Sequence, residues 1–264
     1  MRRNVILFFI VAFSFTWAMW IPAVVLAQAA GEETAPGRVL RVVGSYGPSL
    51  TAVGFVAMRR KAPTAGQFLR RVVRLSGAPW LWVFAVLFVP VAVGFGYLVN
   101  GVATGNWPIP VFVADPLYLP IGILYVLALG GPLGEELGWR GYALDRLVVV
   151  MSPFRASILI GIIWTAWHVP LYLIPGSTQQ QFPFVLYMLF TTMQAVVYTV
   201  LYLRARRSIL IAILYHLFSN LALGLFPTLS LPLGLPVFAV ILSAGVLSVI
   251  LANRRTLFTV PARR

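Results

Sequence analysis

Residues 118–141 read Tyr-Leu-Pro-Ile-Gly-Ile-Leu-Tyr-Val-Leu-Ala-Leu-Gly-Gly-Pro-Leu-Gly-Glu-Glu-Leu-Gly-Trp-Arg-Gly, an uncharged apolar run closed by two carboxylates and a guanidinium. A bilayer span needs about 20 apolar residues. Ionisable groups at that depth are costly enough to be read first as functional. The rest of the chain extends the pattern. Of its 264 residues 60% are hydrophobic and 10% are charged, against about 25% charged in a soluble domain. The composition specifies an integral membrane protein. Its spans read as helices, because within lipid each span must satisfy its own backbone polar groups. The absence of cysteine excludes disulfides, thiolate chemistry and sulfur-ligated zinc.

Eight apolar segments are expected to cross the membrane: 4–26, 43–58, 78–100, 118–139, 156–174, 183–203, 208–226 and 234–252. They fill nearly the whole chain, so 1–264 reads as one all-α polytopic domain with its motif-bearing core at 118–226. Eight spans put both termini on one side. Of the 20 basic residues only Arg38 and Arg41 then fall on the opposite side. Lysine and arginine accumulate on the cytoplasmic side of membrane proteins, so both termini are expected in the cytoplasm, with a bacterial plasma membrane as the location. Met1-Arg2-Arg3, the following apolar run and Ala27-Gln28-Ala29 resemble a signal peptide. The run exceeds an ordinary signal core of about 7 to 15 residues, so a retained first helix is expected.

The net charge of +14 does not point to nucleic acid, because the basic residues cluster at the ends of apolar segments. An anionic bilayer surface is the simpler partner. Segment 59–75 mixes arginines with Phe68, Leu69, Val72, Val73 and Leu75; it reads as an amphipathic surface helix or a plain connecting loop. Asp145 and Arg146 read as solvated or paired.

The remaining polar residues fall on three spans. Glu135 and Glu136 lie near the cytoplasmic end of 118–139, and Arg140 follows Glu136 by four, so those two share a helical face. His168 lies in 156–174. His216 lies in 208–226 with Asn220 four residues on. Matching depths predict one cluster in a polar cavity open to the cytoplasmic side. Its chemistry is water activation: a buried carboxylate acts as general base, while imidazole and amide donors stabilise an oxyanion. Two histidines and a glutamate (Glu135, His168 and His216) also form an alternative zinc set, although no His-Glu-x-x-His run is present. Glu136–Arg140 reads equally as a structural ion pair, and Asn220 as a helix–helix hydrogen bond. Trp139, Trp164 and Trp167 are expected to pack around the cavity. Pro170 should kink or end its helix.

Three motifs carry a resemblance: Glu135-Glu136-Leu137-Gly138-Trp139-Arg140, then Trp164-Thr165-Ala166-Trp167-His168, then His216-Leu217-Phe218-Ser219-Asn220. In this order they resemble the CPBP intramembrane proteases, a family that includes the type II CAAX prenyl endopeptidases and bacterial proteins linked to bacteriocin immunity. Trp164 replaces the usual phenylalanine. The resemblance implies an endopeptidase in which Glu135 and His168 activate water, His216 and Asn220 bind the oxyanion, and Glu136 and Arg140 support them. It implies no cofactor, and a membrane protein or lipidated peptide as substrate. A non-catalytic immunity or scaffold protein, a zinc metalloprotease and a proton-coupled transporter are the alternatives.

Overall fold

The computed structural model describes residues 2–59 and 63–260. Arg60, Lys61, Arg263 and Arg264 of the basic count lie outside the described residues. The helices are α1 (Arg2–Ala30), α2 (Ala35–Ser45), α3 (Gly47–Ala57), α4 (Ala65–Leu69), α5 (Pro79–Thr104), α6 (Val111–Ala114), α7 (Tyr118–Leu129) and α8 (Pro132–Glu136). A π-helical run, Leu137–Leu144, leads into α9 (Asp145–Leu147). Then come α10 (Pro153–Trp167), α11 (Phe184–Arg204), α12 (Ile209–Leu225), α13 (Gly234–Ala252) and α14 (Arg254–Phe258).

Each of the eight expected segments is helical, and the chain is an all-α polytopic membrane protein. Among the described residues 7 helices are long and apolar enough to cross a bilayer. The eighth, α12, is equally apolar but has 17 residues. Its surroundings explain how a short helix serves. It packs on α5, α7, α8 and α11 and buries residues on nearly every turn from Ile209 to Leu225. A helix apolar all round and enclosed by others is core and need not match the lipid thickness by itself. α1 lies on α2 and α3, and α10 lies on α11.

The second span begins at Ala35 and not at 43, so Arg38 and Arg41 lie in α2; two further boundary differences concern the site. The span that starts at Tyr118 does not end at 139; it breaks at Gly130–Gly131 and continues to Leu147. The acidic pair therefore lies within the span, not near its end. Arg140, grouped by sequence with the basic loops, is 1% exposed. The apolar count stopped at 139 because Arg140 reads as a loop residue when its pairing with Glu136 is unknown. In the next span α10 ends at Trp167, and Val169–Leu173 is a 3-10 turn. Pro170 has no N–H to offer the carbonyl of Ala166 and crowds it, so the helix stops and leaves His168 as its cap.

Segment 59–75 contains a short helix rather than a plain loop. Thr64 and Gln67 cap α4 reciprocally, side chain to backbone in both directions. The opposite end carries Arg38 and Arg41, and both contact Glu33, at 3.4 and 2.5 Å.

Close approach of helices in lipid depends on small residues. At Gly138 a Cβ would stand 2.5 Å from Pro48 Cβ and 2.6 Å from the Pro48 carbonyl carbon, so only glycine lets the site-bearing span reach α3. Gly138→Val is expected to lower stability by about 1–3 kcal/mol through overpacking, read as a drop in thermal unfolding temperature in detergent. Gly94→Ala, where a Cβ meets nothing within 4 Å, should leave it unchanged. Equal melting of the two variants would show that the α3 contact is not close-packed.

Candidate active site

The break between α7 and α8 sets the site. Gly131 has φ 107, a conformation open to glycine and strained for other residues. Pro132 then starts α8 at a position where its missing N–H costs nothing. From α12, Asn220 Nδ2 donates to the Gly130 carbonyl at 3.0 Å and pins the break. The helix–helix hydrogen bond open to Asn220 in the sequence is thus present.

Successive residues on a helix point about 100° apart, so the two glutamates face different partners. Glu135 Oε2 accepts from the indole N–H of Trp139 at 3.1 Å and from that of Trp164 at 2.6 Å. Glu136 Oε1 accepts from Arg140 Nη1 and His216 Nδ1, each at 2.8 Å. The Arg140 guanidinium also stands 3.6 Å from the centre of the Tyr198 ring and 4.7 Å from that of Trp164, so its apolar face is covered as a cation–π pair. His168 Nδ1 lies 2.8 Å from the Trp164 carbonyl, and Tyr187 packs on the His168 ring.

Trp164 is the hub. Its ring centre is 5.7 Å from those of both His168 and His216, while its N–H holds Glu135. Glu135, Glu136, Arg140, His168 and His216 come together around it, and none is more than 6% exposed. Asn220 joins at the edge, through the Gly130 carbonyl.

Partners assign protons. A carbonyl only accepts, so His168 donates through Nδ1 and, when neutral, its lone pair is on Nε2. His216 donates through Nδ1 to the Glu136 carboxylate. The other oxygen of the first glutamate, Glu135 Oε1, makes no hydrogen bond among the described residues; a Cβ on Gly131 would sit 2.5 Å from it and 3.4 Å from His216 Cε1. Gly131 therefore keeps the space before Oε1 clear. Glu136 Oε2, Arg140 Nη2 and Trp167 Nε1 are buried without hydrogen-bond partners, a concentration that calls for a functional reason.

Two expectations are not met among the described residues. No polar cavity open to one side is seen at the site, where the indoles of Trp139 and Trp164 bond the carboxylate directly. A groove of about 450 Å³ lies elsewhere, on the apolar flank of α5 beside Trp80, Phe84 and Phe88. The alternative zinc set is not assembled either: among the described residues no three His, Asp or Glu side chains are placed to hold a metal ion. His216 Nδ1 is turned to Glu136, His168 Nδ1 to a carbonyl, and Glu135 Oε2 to two indoles.

The indole donors are not evident in the sequence, where Trp139 and Trp164 read as packing, although Trp139 follows Glu135 by four and Trp164 precedes His168 by four. That spacing was the available signal. Ser219 donates to the Tyr215 carbonyl at 2.6 Å and takes no part.

Residues 116–222 match the family model described as Type II CAAX prenyl endopeptidase Rce1-like. The CAAX prenyl protease 2 of Methanococcus maripaludis is 39% identical over 107 residues, which cover 38% of this chain and 39% of that protein. The matched part of the chain thus spans about two fifths of that curated relative. All six candidate residues fall inside 116–222, whereas α1 to α6, α13 and α14 fall outside it.

Breaking a buried ion pair by removing one partner costs about 3–5 kcal/mol, because the other charge stays uncompensated. Arg140→Met is therefore expected to lower the unfolding temperature in detergent by far more than Arg155→Met at an exposed position. Equal stability of the two variants would mean that Glu136 does not depend on Arg140.

Proposed function

The chain belongs, through residues 116–222, to the CPBP/Rce1-like CAAX protease family, and on that premise we propose that it is an intramembrane endopeptidase. One observation carries the mechanistic reading: two indoles hold one oxygen of Glu135, while the other faces the gap that Gly131 keeps open beside His216.

In this reading a water sits between Glu135 Oε1 and His168 Nε2. Glu135 takes one proton as general base, and the Trp164 carbonyl orients His168 to accept a hydrogen bond from the same water. The water oxygen bonds to the substrate carbonyl carbon. The resulting oxyanion is met by His216 Nε2–H and by the second amide hydrogen of Asn220. Because Nδ1 of His216 is committed to Glu136, donation from Nε2 requires the doubly protonated ring, whose charge the Glu136 carboxylate balances. Arg140 in turn keeps Glu136 fixed. Collapse of the intermediate breaks the C–N bond, and the proton held by Glu135 passes to the departing amine. The substrate class is a membrane-associated protein or lipidated peptide. The arginine-rich end, with both termini, is assigned to the cytoplasm. The packed indoles imply that substrate entry moves Trp139 or Trp164.

Glu135→Gln is expected to reduce cleavage of a membrane-inserted peptide by about 10² to 10⁴-fold, the range of a general base, with the unfolding temperature retained. Parent-like turnover by that variant would remove Glu135 from the mechanism. Trp164→Phe keeps an aromatic ring, smaller than the indole, and deletes one hydrogen bond to a charged group, a loss of about 1.5–3 kcal/mol; it should slow cleavage by about tenfold or more. Activity is expected to survive chelation; loss on chelation with recovery on adding zinc would favour a metal route.

A further inference from the structure

The chain's arginines greatly outnumber its carboxylates, and the imbalance is concentrated where two basic stretches meet. Asp145 is the acid there. It takes Arg71 Nη1 at 2.8 Å and Arg207 Nη1 at 3.1 Å, and accepts from the Tyr202 hydroxyl at 2.8 Å. Arg70, Arg74 and Arg206 stand around this knot, exposed, with no carboxylate within ion-pair distance among the described residues. Backbone contacts hold them side by side. Arg74 Nη1 donates to the Arg206 carbonyl at 3.3 Å, and Arg71 Nε to the Arg207 carbonyl at 3.0 Å.

The turn itself is strained. Arg206 and Arg207 have φ 50 and 63, a left-handed conformation that residues with a Cβ rarely adopt. It persists because Arg207 N–H reaches the Tyr202 carbonyl at 2.8 Å. Strain of this kind, maintained by its surroundings, is a pointer to function. Here it projects two guanidinium groups beside three others.

The strap formed by residues 64–75 has two faces. Phe68 and Arg71 point inward, 1% and 8% exposed, with the Phe68 ring against Gly141 and Arg71 on Asp145. Both contacts fall on the span that carries Glu135, Glu136 and Arg140. The outward face shows Leu69, Val73 and Leu75, 44%, 74% and 76% exposed, interleaved with Arg70 and Arg74. Apolar side chains alternating with unpaired arginines at the foot of α5 fit a surface that offers phosphate and hydrocarbon at adjacent depths. A guanidinium is suited to a phosphate because its planar fork binds two oxygens.

We infer that an anionic phospholipid docks where the strap meets the turn, its headgroup phosphate on Arg70, Arg74 and Arg206 and its acyl boundary against Leu69, Val73 and Leu75. The absence of native cysteine makes the test direct. The full chain with Val73→Cys, carrying one nitroxide, is placed in phosphatidylcholine vesicles with and without phosphatidylglycerol. Accessibility to oxygen and to a water-soluble nickel reagent is then measured. Phosphatidylglycerol should raise the oxygen and lower the nickel accessibility, and Arg70→Gln with Arg74→Gln and Arg206→Gln should cancel the shift. Retention of phosphatidylglycerol by the detergent-purified protein should weaken about fivefold per arginine removed. Leu75→Cys is the second reporter if the first perturbs folding. Identical accessibility in the two lipids, or a full response in the triple variant, overturns the docking. A shift reproduced by soluble glycerol phosphate in phosphatidylcholine vesicles overturns it also, since the ligand would be free phosphate. The readout uses no proteolysis, so its outcome is independent of the proposed activity.

Discussion

A carboxylate with no exposed surface has to be compensated inside the protein, and in this chain Glu136 is that carboxylate. Its Oε1 takes both Arg140 and His216. Removing a charge from water is costly enough that its partners must be in place whenever the protein is folded. That demand ties α8 and the π-helical run to α12, and the cation–π contacts of Arg140 tie the same group to α10 and α11 through Trp164 and Tyr198. One buried charge therefore joins four parts of the chain. The orientation of His216 is a consequence, because its Nδ1 has no freedom to point elsewhere.

The neighbouring glutamate is treated differently although it is one residue away. Glu135 has no cation in hydrogen-bond contact; its partners are two indole N–H groups on a single oxygen. A neutral donor holds a carboxylate in place without pairing its charge. The helix-breaking glycines extend the asymmetry: Gly131 keeps the second oxygen clear, and Asn220 secures the backbone at Gly130. Two adjacent acids thus occupy a charge-paired and a charge-unpaired environment within one turn of helix, a division that the identity of the residues alone does not contain.

Much of this was legible without coordinates. Apolar runs identified all 7 helices that, among the described residues, are long and apolar enough to cross a bilayer, because the bilayer penalises unsatisfied backbone and charge so heavily that exceptions are confined to a few positions. The same penalty exposed Glu135, Glu136, Arg140, His168 and His216 as the residues to watch. The pairing of Glu136 with Arg140 followed from four-residue spacing, and the end of α10 from Pro170. Hydropathy failed where a charge was internally neutralised. It ended the fourth span at 139 when the helix continues to Leu147, and it grouped the buried Arg140 with the basic loops.

The chain by itself determined that it is helical, that it lies in a membrane and that two adjacent carboxylates and two imidazoles lie within its spans, since these depend on local composition and on a solvent that tolerates few alternatives. Only the tertiary structure decided which oxygen of Glu135 is held and which is open, that two tryptophans hold it, that among the described residues no set of ligands gathers for a metal, and that Asn220 secures a backbone carbonyl. Those outcomes depend on angles and distances between helices far apart in the chain. A hydrogen bond is decided over tenths of an ångström, and neither hydropathy nor spacing resolves positions that finely.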